Sequence, residues 1–337
     1  MGENFVKFIE TKRNLKFMFT GGKGGVGKTV LAAGIALYFA EKGEKTLIVS
    51  LNPVHSLSSV FGQDLWGGQI KQVKGTSNLW ACEVDITETV NRYKVQITRR
   101  LREFMTWADI PINPDPFIEV ATTNPAFEES AMFDEMIDII IKQGEEYDRI
   151  VFDCAAVANA VRLLGLCKIY GLWLSRMIKS REEALALRVK LSFRKDKVLE
   201  EIKKDPMMAD LLSMNERMKK ARVLLTDHEK TAFFFVTIPL ALPIAVVKRF
   251  INMVKAFDIP IGGVFVNMII PESVVKEKGA GEYLINKFKE QQEYLKIINR
   301  DLGELVRAYI PMFPTEVTGL EMIKKVSDAL VSGIMPV

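Results

Sequence analysis

The residues with the clearest chemical potential in this chain stand together as GKGGVGKT, Gly22 to Thr29. They satisfy G-x-x-x-x-G-K-[ST], a spacing in which glycines let backbone N–H groups converge on phosphate oxygens without Cβ obstruction. Lys28 is expected to reach the β- and γ-phosphates of a nucleotide, and the Thr29 hydroxyl to ligate Mg²⁺. An apolar run over 15–20 reads as a short buried strand, and a helix is predicted to begin near Thr29. The positive end of that helix would then face the phosphates. Gly22, Lys23, Gly24, Gly25, Val26, Gly27, Lys28, Thr29 and Val30 are therefore the candidate nucleotide-binding residues, with ATP or ADP and Mg²⁺ as the expected ligands.

These residues need a scaffold, and the hydrophobic pattern supplies one. The helix through 30–40 ends at Gly43, and 45–50 is a second apolar strand, completing a βαβ unit. Further strands are predicted at 79–84, 149–153, 232–238, 263–266 and 306–310, mostly separated by helical patterns. The expected fold is α/β, a P-loop NTPase with a mostly parallel sheet flanked by helices. One domain over 1–337 is expected, carrying an inserted helical subdomain from the charged, helix-rich stretches 91–123 and 172–222. The second stretch holds Met177, Met207, Met208, Met214 and Met218. Such methionines either pack a helical subdomain against itself or, if exposed, accommodate varied apolar partners.

Composition narrows the function classes. A chain of 337 residues with 48% hydrophobic content can bury a full core. The net charge of +4, from 46 basic and 42 acidic residues, is too balanced to indicate nucleic acid as a partner. Cys82, Cys154 and Cys167 include no C-x-x-C pair, which fits a reducing cytoplasm and supports neither a disulfide framework nor a cysteine zinc site. The N-terminus carries no apolar signal segment, and Val6 stands where myristoylation needs Ser or Thr, so secretion and lipid anchoring are not expected. The run 231–247 is about the minimum spanning length but contains Pro239 and Pro243. It reads as a buried strand entering a loop and helix, and no stable membrane insertion is expected.

Lys23, a second lysine at the start of the loop, marks the deviant P-loop subclass, whose members pair as dimers around nucleotide. In that subclass the extra lysine crosses to the partner's phosphates, as an arginine finger does in trans. Over nearly its whole length the chain resembles the ArsA/GET ATPases, which include the arsenite-pump ATPase and the cytosolic factor that targets tail-anchored membrane proteins. The resemblance rests on FTGGKGGVGKT (19–29), SLNPVHSLS (50–58) as switch I, FDCAAVANAVRLL (152–164) as switch II, VTIPLALP (236–243) near the dimer interface, and Val266-Asn267 with IPMFPTEVTGL (310–320) on the adenine side. It implies that Asp153 is the Walker-B carboxylate on Mg²⁺, directly or through water, and its place after an apolar strand agrees. It also implies that Asn267 reads the adenine edge and that the main chain around Pro311 and Met312 lines the base pocket.

The departures from the family concentrate where hydrolysis happens. Switch I in the family reads Asp-Pro-Ala-His, its Asp positioning the attacking water, whereas this chain has Asn52, Pro53, Val54 and His55. An Asn amide can hydrogen-bond a water but cannot act as an anionic acceptor. The family's gly-his hinge in switch II is absent from 153–160, Leu240 stands where a Glu is expected, and Val246-Val247 replace Glu-Thr. Asn52, Lys23 and Lys28 are thus the candidate catalytic positions, with nucleotide binding expected and hydrolysis impaired. The leading expectation is a dimeric, nucleotide-switched carrier of a hydrophobic client such as a tail-anchor segment. The alternatives are an arsenite efflux ATPase subunit, which needs reactive thiols, and a non-hydrolysing member of a heterodimer with an intact paralogue.

Overall fold

The computed structural model describes residues 3–332 apart from 53, 55, 108–112, 114, 124, 193–204 and 277–280. Pro53 and His55 of the switch I segment therefore lie outside the described residues. In chain order the elements are α1 (Phe5–Thr11), β1 (Phe17–Gly22), α2 (Lys28–Glu41), β2 (Thr46–Ser50), α3 (Ser56–Phe61), β3 (Lys71–Gln72), β4 (Leu79–Glu83), α4 (Ile86–Trp107), α5 (Asp115–Thr122) and α6 (Pro125–Lys142). There follow β5 (Arg149–Ala156), α7 (Val157–Leu191), α8 (Pro206–Thr226), β6 (Thr231–Thr237), α9 (Ala241–Ala256), β7 (Ile261–Ile269), α10 (Glu272–Lys276), α11 (Glu282–Leu302), β8 (Val306–Pro311) and α12 (Leu320–Ser332).

The chain divides into two compact units, Met1–Asp85 with Lys142–Arg162 and Leu224–Val337, and Ile86–Ile141 with Leu163–Val223. The first unit is built on one eight-stranded sheet in the order β3-β4-β2-β5-β1-β6-β7-β8. Every neighbouring pair is parallel except β3 with β4. This is the expected α/β P-loop architecture, and the strands read as unbroken apolar runs because both faces of the sheet are covered. Along β1, Met18 joins a core with Phe5, Leu31, Phe39 and Phe234. The alternate residues face the other way, where Phe19 stacks on Phe152 at 4.7 Å and Phe233 meets Phe235 at 4.8 Å. Helix α2 is buried at every position from Leu31 to Ala40, so it is apolar all round rather than amphipathic.

The segment 231–247 is the buried strand β6, a turn and the first turns of α9. Among the described residues no helix is long and apolar enough to cross a membrane. The departure at Val246-Val247 has a packing reason in part, since Val247 is fully buried with Ile244 and Ile251 on the inner face of α9.

The second unit is helical. Arg217 of α8 is hydrogen-bonded to Asp134 and Asp138 of α6, and Arg181 of α7 pairs with the buried Asp205 at 2.8 Å. Asp205 also accepts the backbone N–H groups of Met207 and Met208, so it caps α8. Met218 is buried and Met177, Met207, Met208 and Met214 are half-buried. The large exposed apolar side chains among the described residues of these helices are instead Val95, Val120, Leu172, Leu187, Leu191, Leu212 and Val223.

Candidate functional site

The loop after β1 turns into α2 with Gly27 in the left-handed region at φ 88° as the helix N-cap. A Cβ on Gly27 would stand 2.2 Å from the Asn267 amide nitrogen, and one on Gly22 would stand 2.4 Å from the Val236 carbonyl oxygen. Glycine is required at both for close approach and at Gly27 also for its backbone angle. A Cβ on Gly24 or Gly25 would meet nothing within 4 Å, so neither is required for close packing. Val26 is buried, Val30 is half-buried in the first turn of α2, and Lys23 is exposed.

Lys28 is 9% exposed, and its ammonium donates to the Lys23 carbonyl at 3.3 Å. Burial pulls its pKa below the ordinary lysine value, opposed by the nearby Asp153 carboxylate. A cation held in such a place is stabilised by any anion that enters the loop.

Asp153 lies three residues before the end of β5 and is fully buried. Its Oδ2 accepts from the Thr29 hydroxyl at 2.7 Å and from the Ser56 hydroxyl at 3.3 Å. Its Oδ1 is buried without a hydrogen-bond partner. Burial pushes the carboxyl up to about 6, against the hydrogen bond from Thr29 and the charge of Lys28. A buried carboxylate oxygen with no donor costs free energy unless something cationic meets it. The hydroxyls of Thr29 and Ser56 and this carboxylate form a set of hard oxygens, which suits Mg²⁺, an ion that takes one or two carboxylates and completes its shell with phosphate and water. No cluster of three or more His, Cys, Asp or Glu exists among the described residues, so a metal caged by protein ligands alone is not built there.

Asn52 is half-buried just beyond β2, and its backbone N–H donates to the Ser50 hydroxyl at 3.2 Å. Ser50 in turn shares a hydrogen bond of 3.1 Å with Ser56. The sheet register explains this cluster, because Glu83, Ser50 and Asp153 are aligned side by side on β4, β2 and β5. Sequence reading singled out neither Ser50, Ser56 nor Glu83 in its own right. The two serines fall inside the switch I segment, but Glu83 carries no motif signal at all.

On the far side of β1, Asn267 is buried on β7 and its amide donates to the Val26 carbonyl at 2.9 Å. The β7–β8 register shifts between Val266 and Ile269, and Met268 has φ 56°, a bulge that re-aims the strand next to the phosphate loop. Ile269 then pairs with Pro311, and the Met312 N–H donates to the Ile269 carbonyl at 2.8 Å. Asn267 on β7 is thus bonded to the loop, Pro311 ends the adjacent strand β8 with Met312 just after it, and all the candidate residues fall within the first unit. Cys154 is buried in β5 with its thiol pushed up by burial, and Cys82 is buried in β4.

Comparison with known proteins places the chain in a family. The putative arsenical pump-driving ATPase 2 of Aquifex aeolicus (strain VF5) is 29% identical over 321 residues, covering 95% of this chain and 100% of that protein. ATPase GET3C of Arabidopsis thaliana is 30% identical over 330 residues, 94% of this chain and 82% of its own. ATPase ASNA1 homolog 1 of Paramecium tetraurelia is 28% identical over 331 residues, 97% and 96% respectively. With residues 15–332 matching the family described as anion-transporting ATPase (ArsA), the chain belongs to that family.

Proposed function

We propose that this protein binds Mg·ATP at the loop 22–30 and, as a homodimer or a heterodimer with a paralogue in the cytoplasm, uses nucleotide state to hold and release a hydrophobic client. The observation that carries the nucleotide half is the buried Asp153, one oxygen on Thr29 and the other without a partner, beside the buried Lys28. Thr29 and Asp153 would hold Mg²⁺, which supplies positive charge to the β- and γ-phosphates when bound. Lys28 binds the same phosphates, the loop N–H groups orient them, and the exposed Lys23 is the residue offered to a partner's nucleotide. The Asn267 amide carbonyl is an acceptor suited to adenine's exocyclic amine, with the main chain at Pro311 and Met312 alongside.

Hydrolysis is proposed to be slow. Asn52 orients a water weakly and cannot take its proton as a carboxylate would, a difference on the order of a hundredfold in rate or more.

The client half of the reading is supported by the second unit. Val95, Leu172, Leu187, Leu191 and Leu212 are exposed on its helices, and an open cavity of about 860 Å³ beside α4 is lined by Val95 together with the charged Lys94, Arg99, Arg102 and Glu103. Apolar side chains exposed on helices are what apolar helices dock against. A metalloid pump is disfavoured by the buried, un-ionised Cys154 and the buried Cys82, since soft As(III) needs accessible thiolates. Cys167, the third thiol, has its side chain outside the described residues.

The test is binding of a fluorescent, twenty-residue apolar helix peptide to the full chain with no nucleotide, with Mg·ADP and with Mg·ATP. The carrier reading expects affinities that differ at least about fivefold between nucleotide states. Equal affinity in all three, or no binding, contradicts it.

A further inference from the structure

The carboxylate of Glu83 is 2% exposed and meets no lysine or arginine among the described residues. What holds it is the first turn of α3. The Leu57 N–H donates to one oxygen at 2.6 Å and the Ser58 N–H to the same oxygen at 3.2 Å, while the Ser58 hydroxyl donates to the other at 2.5 Å. These backbone donors are among those a helix start leaves without intrahelical partners, and an anion there is also favoured by the helix dipole. The Ser58 hydroxyl further accepts from the Leu65 N–H at 3.1 Å, which ties the loop after α3 into the same cluster.

Helix α3 is therefore attached at two points. Its first residue, Ser56, reaches Asp153 and Ser50 at the proposed Mg²⁺ side, and its second and third residues hold Glu83. If α3 moved while β4 stayed still, Glu83 would be a buried anion stripped of its donors, an arrangement proteins avoid by moving both together. Glu83 is also the last residue of β4. Two residues later the first unit ends at Asp85, and Ile86 opens α4 and the second unit.

We infer that Glu83 is a positioning residue that couples the switch I helix to the strand leading into the second unit, so that a change at the nucleotide phosphates is passed along 83–86 to α4. The inference rests on the nucleotide-switched reading above and names the residue that would carry the switch.

Hydrogen–deuterium exchange on the full chain, without nucleotide and with Mg·ADP or Mg·ATP, tests it in wild type, Glu83→Gln and Ser58→Ala. The Gln keeps the size and can keep its oxygen on the two N–H groups, but the Ser58 hydroxyl then loses its acceptor and the three donors lose the negative charge they face. In wild type, nucleotide changes the exchange rates of both 56–61 and 86–107. In Glu83→Gln the ATP affinity stays within about threefold, and the response at 86–107 shrinks at least about fivefold. Ser58→Ala, which leaves the two N–H bonds in place, gives a smaller reduction and decides the matter if Glu83→Gln does not fold. A full response at 86–107 in these variants overturns the coupling role while leaving the nucleotide-switched reading standing. Loss of ATP binding in Glu83→Gln also overturns it, by making Glu83 part of the binding site. No response at 86–107 in wild type overturns the switched reading itself.

Discussion

Asn267 donates its side-chain amide to the Val26 carbonyl at 2.9 Å, joining positions 241 residues apart and fixing the phosphate loop to a strand two places away from the one that leads into it. Asn267 stands where the β7–β8 register shifts, just before Met268 with φ 56°. A motif that looks self-contained in the sequence is thus held from outside.

Replacing Asn267 with Ala removes that donor and leaves the Val26 carbonyl buried without it. Such a loss costs on the order of 1–3 kcal/mol, and part of it falls on the loop's readiness to bind. ATP affinity measured by titration calorimetry is expected to drop about tenfold. Asn267→Asp is expected to be worse, because a carboxylate cannot donate and adds negative charge beside phosphate. An Asn267→Ala affinity within about twofold of wild type would rule out the clamp.

Gly27 separates sterics from backbone strain. Gly27→Ala is expected to abolish measurable ATP binding, since the new Cβ would sit 2.2 Å from the Asn267 amide nitrogen and φ is 88°. In an Asn267→Ala background the clash is gone but the left-handed angle still costs about 1–2 kcal/mol. Binding should return only in part there, and full recovery to the Asn267→Ala level would show that the angle does not matter.

Asp153 makes a prediction about stability. Burial raises its carboxyl from 3.8 to about 6, so the folded state favours the protonated form. The stability this provides is complete below the unfolded value and is lost as pH rises through about 6. In EDTA and without nucleotide, Asp153→Asn should therefore be more stable than wild type. The gap should widen by on the order of 1 kcal/mol between about pH 5 and 7.5. Denaturant melts at the two pH values check this, and a gap that does not change with pH would contradict it. The same variant should lose Mg²⁺-dependent nucleotide binding.

What could be read in the sequence followed from physical strength of signal. Buried parallel strands write themselves as apolar runs, so β1, β2, β4, β5, β6, β7 and β8 were legible, with ends displaced by a few residues. The two-residue β3 had no such run and was not foreseen. β5 runs on to Ala156, into the segment read as switch II, because its backbone still pairs with Gly22. The phosphate loop was legible from glycine spacing, and Asp153 from its strand with the help of family resemblance. The Ser50–Ser56–Asp153 cluster and the Glu83 cap were not legible, because they arise from register between strands that lie far apart in sequence. The Val26–Asn267 bond joins positions 241 residues apart, which no local pattern announces.

The central claim is that Mg·ATP binds at Lys28 and Thr29 and that Asn52 limits its turnover. It is tested most directly by measuring ATP affinity and ATP turnover together on wild type, Asn52→Asp and Lys28→Ala. The account predicts that wild type binds Mg·ATP with slow turnover, that Asn52→Asp turns over on the order of a hundredfold faster or more at similar affinity, and that Lys28→Ala loses binding. Wild type that binds no ATP, or Lys28→Ala that binds as wild type does, would contradict the site. Asn52→Asp with unchanged turnover would contradict the role given to residue 52.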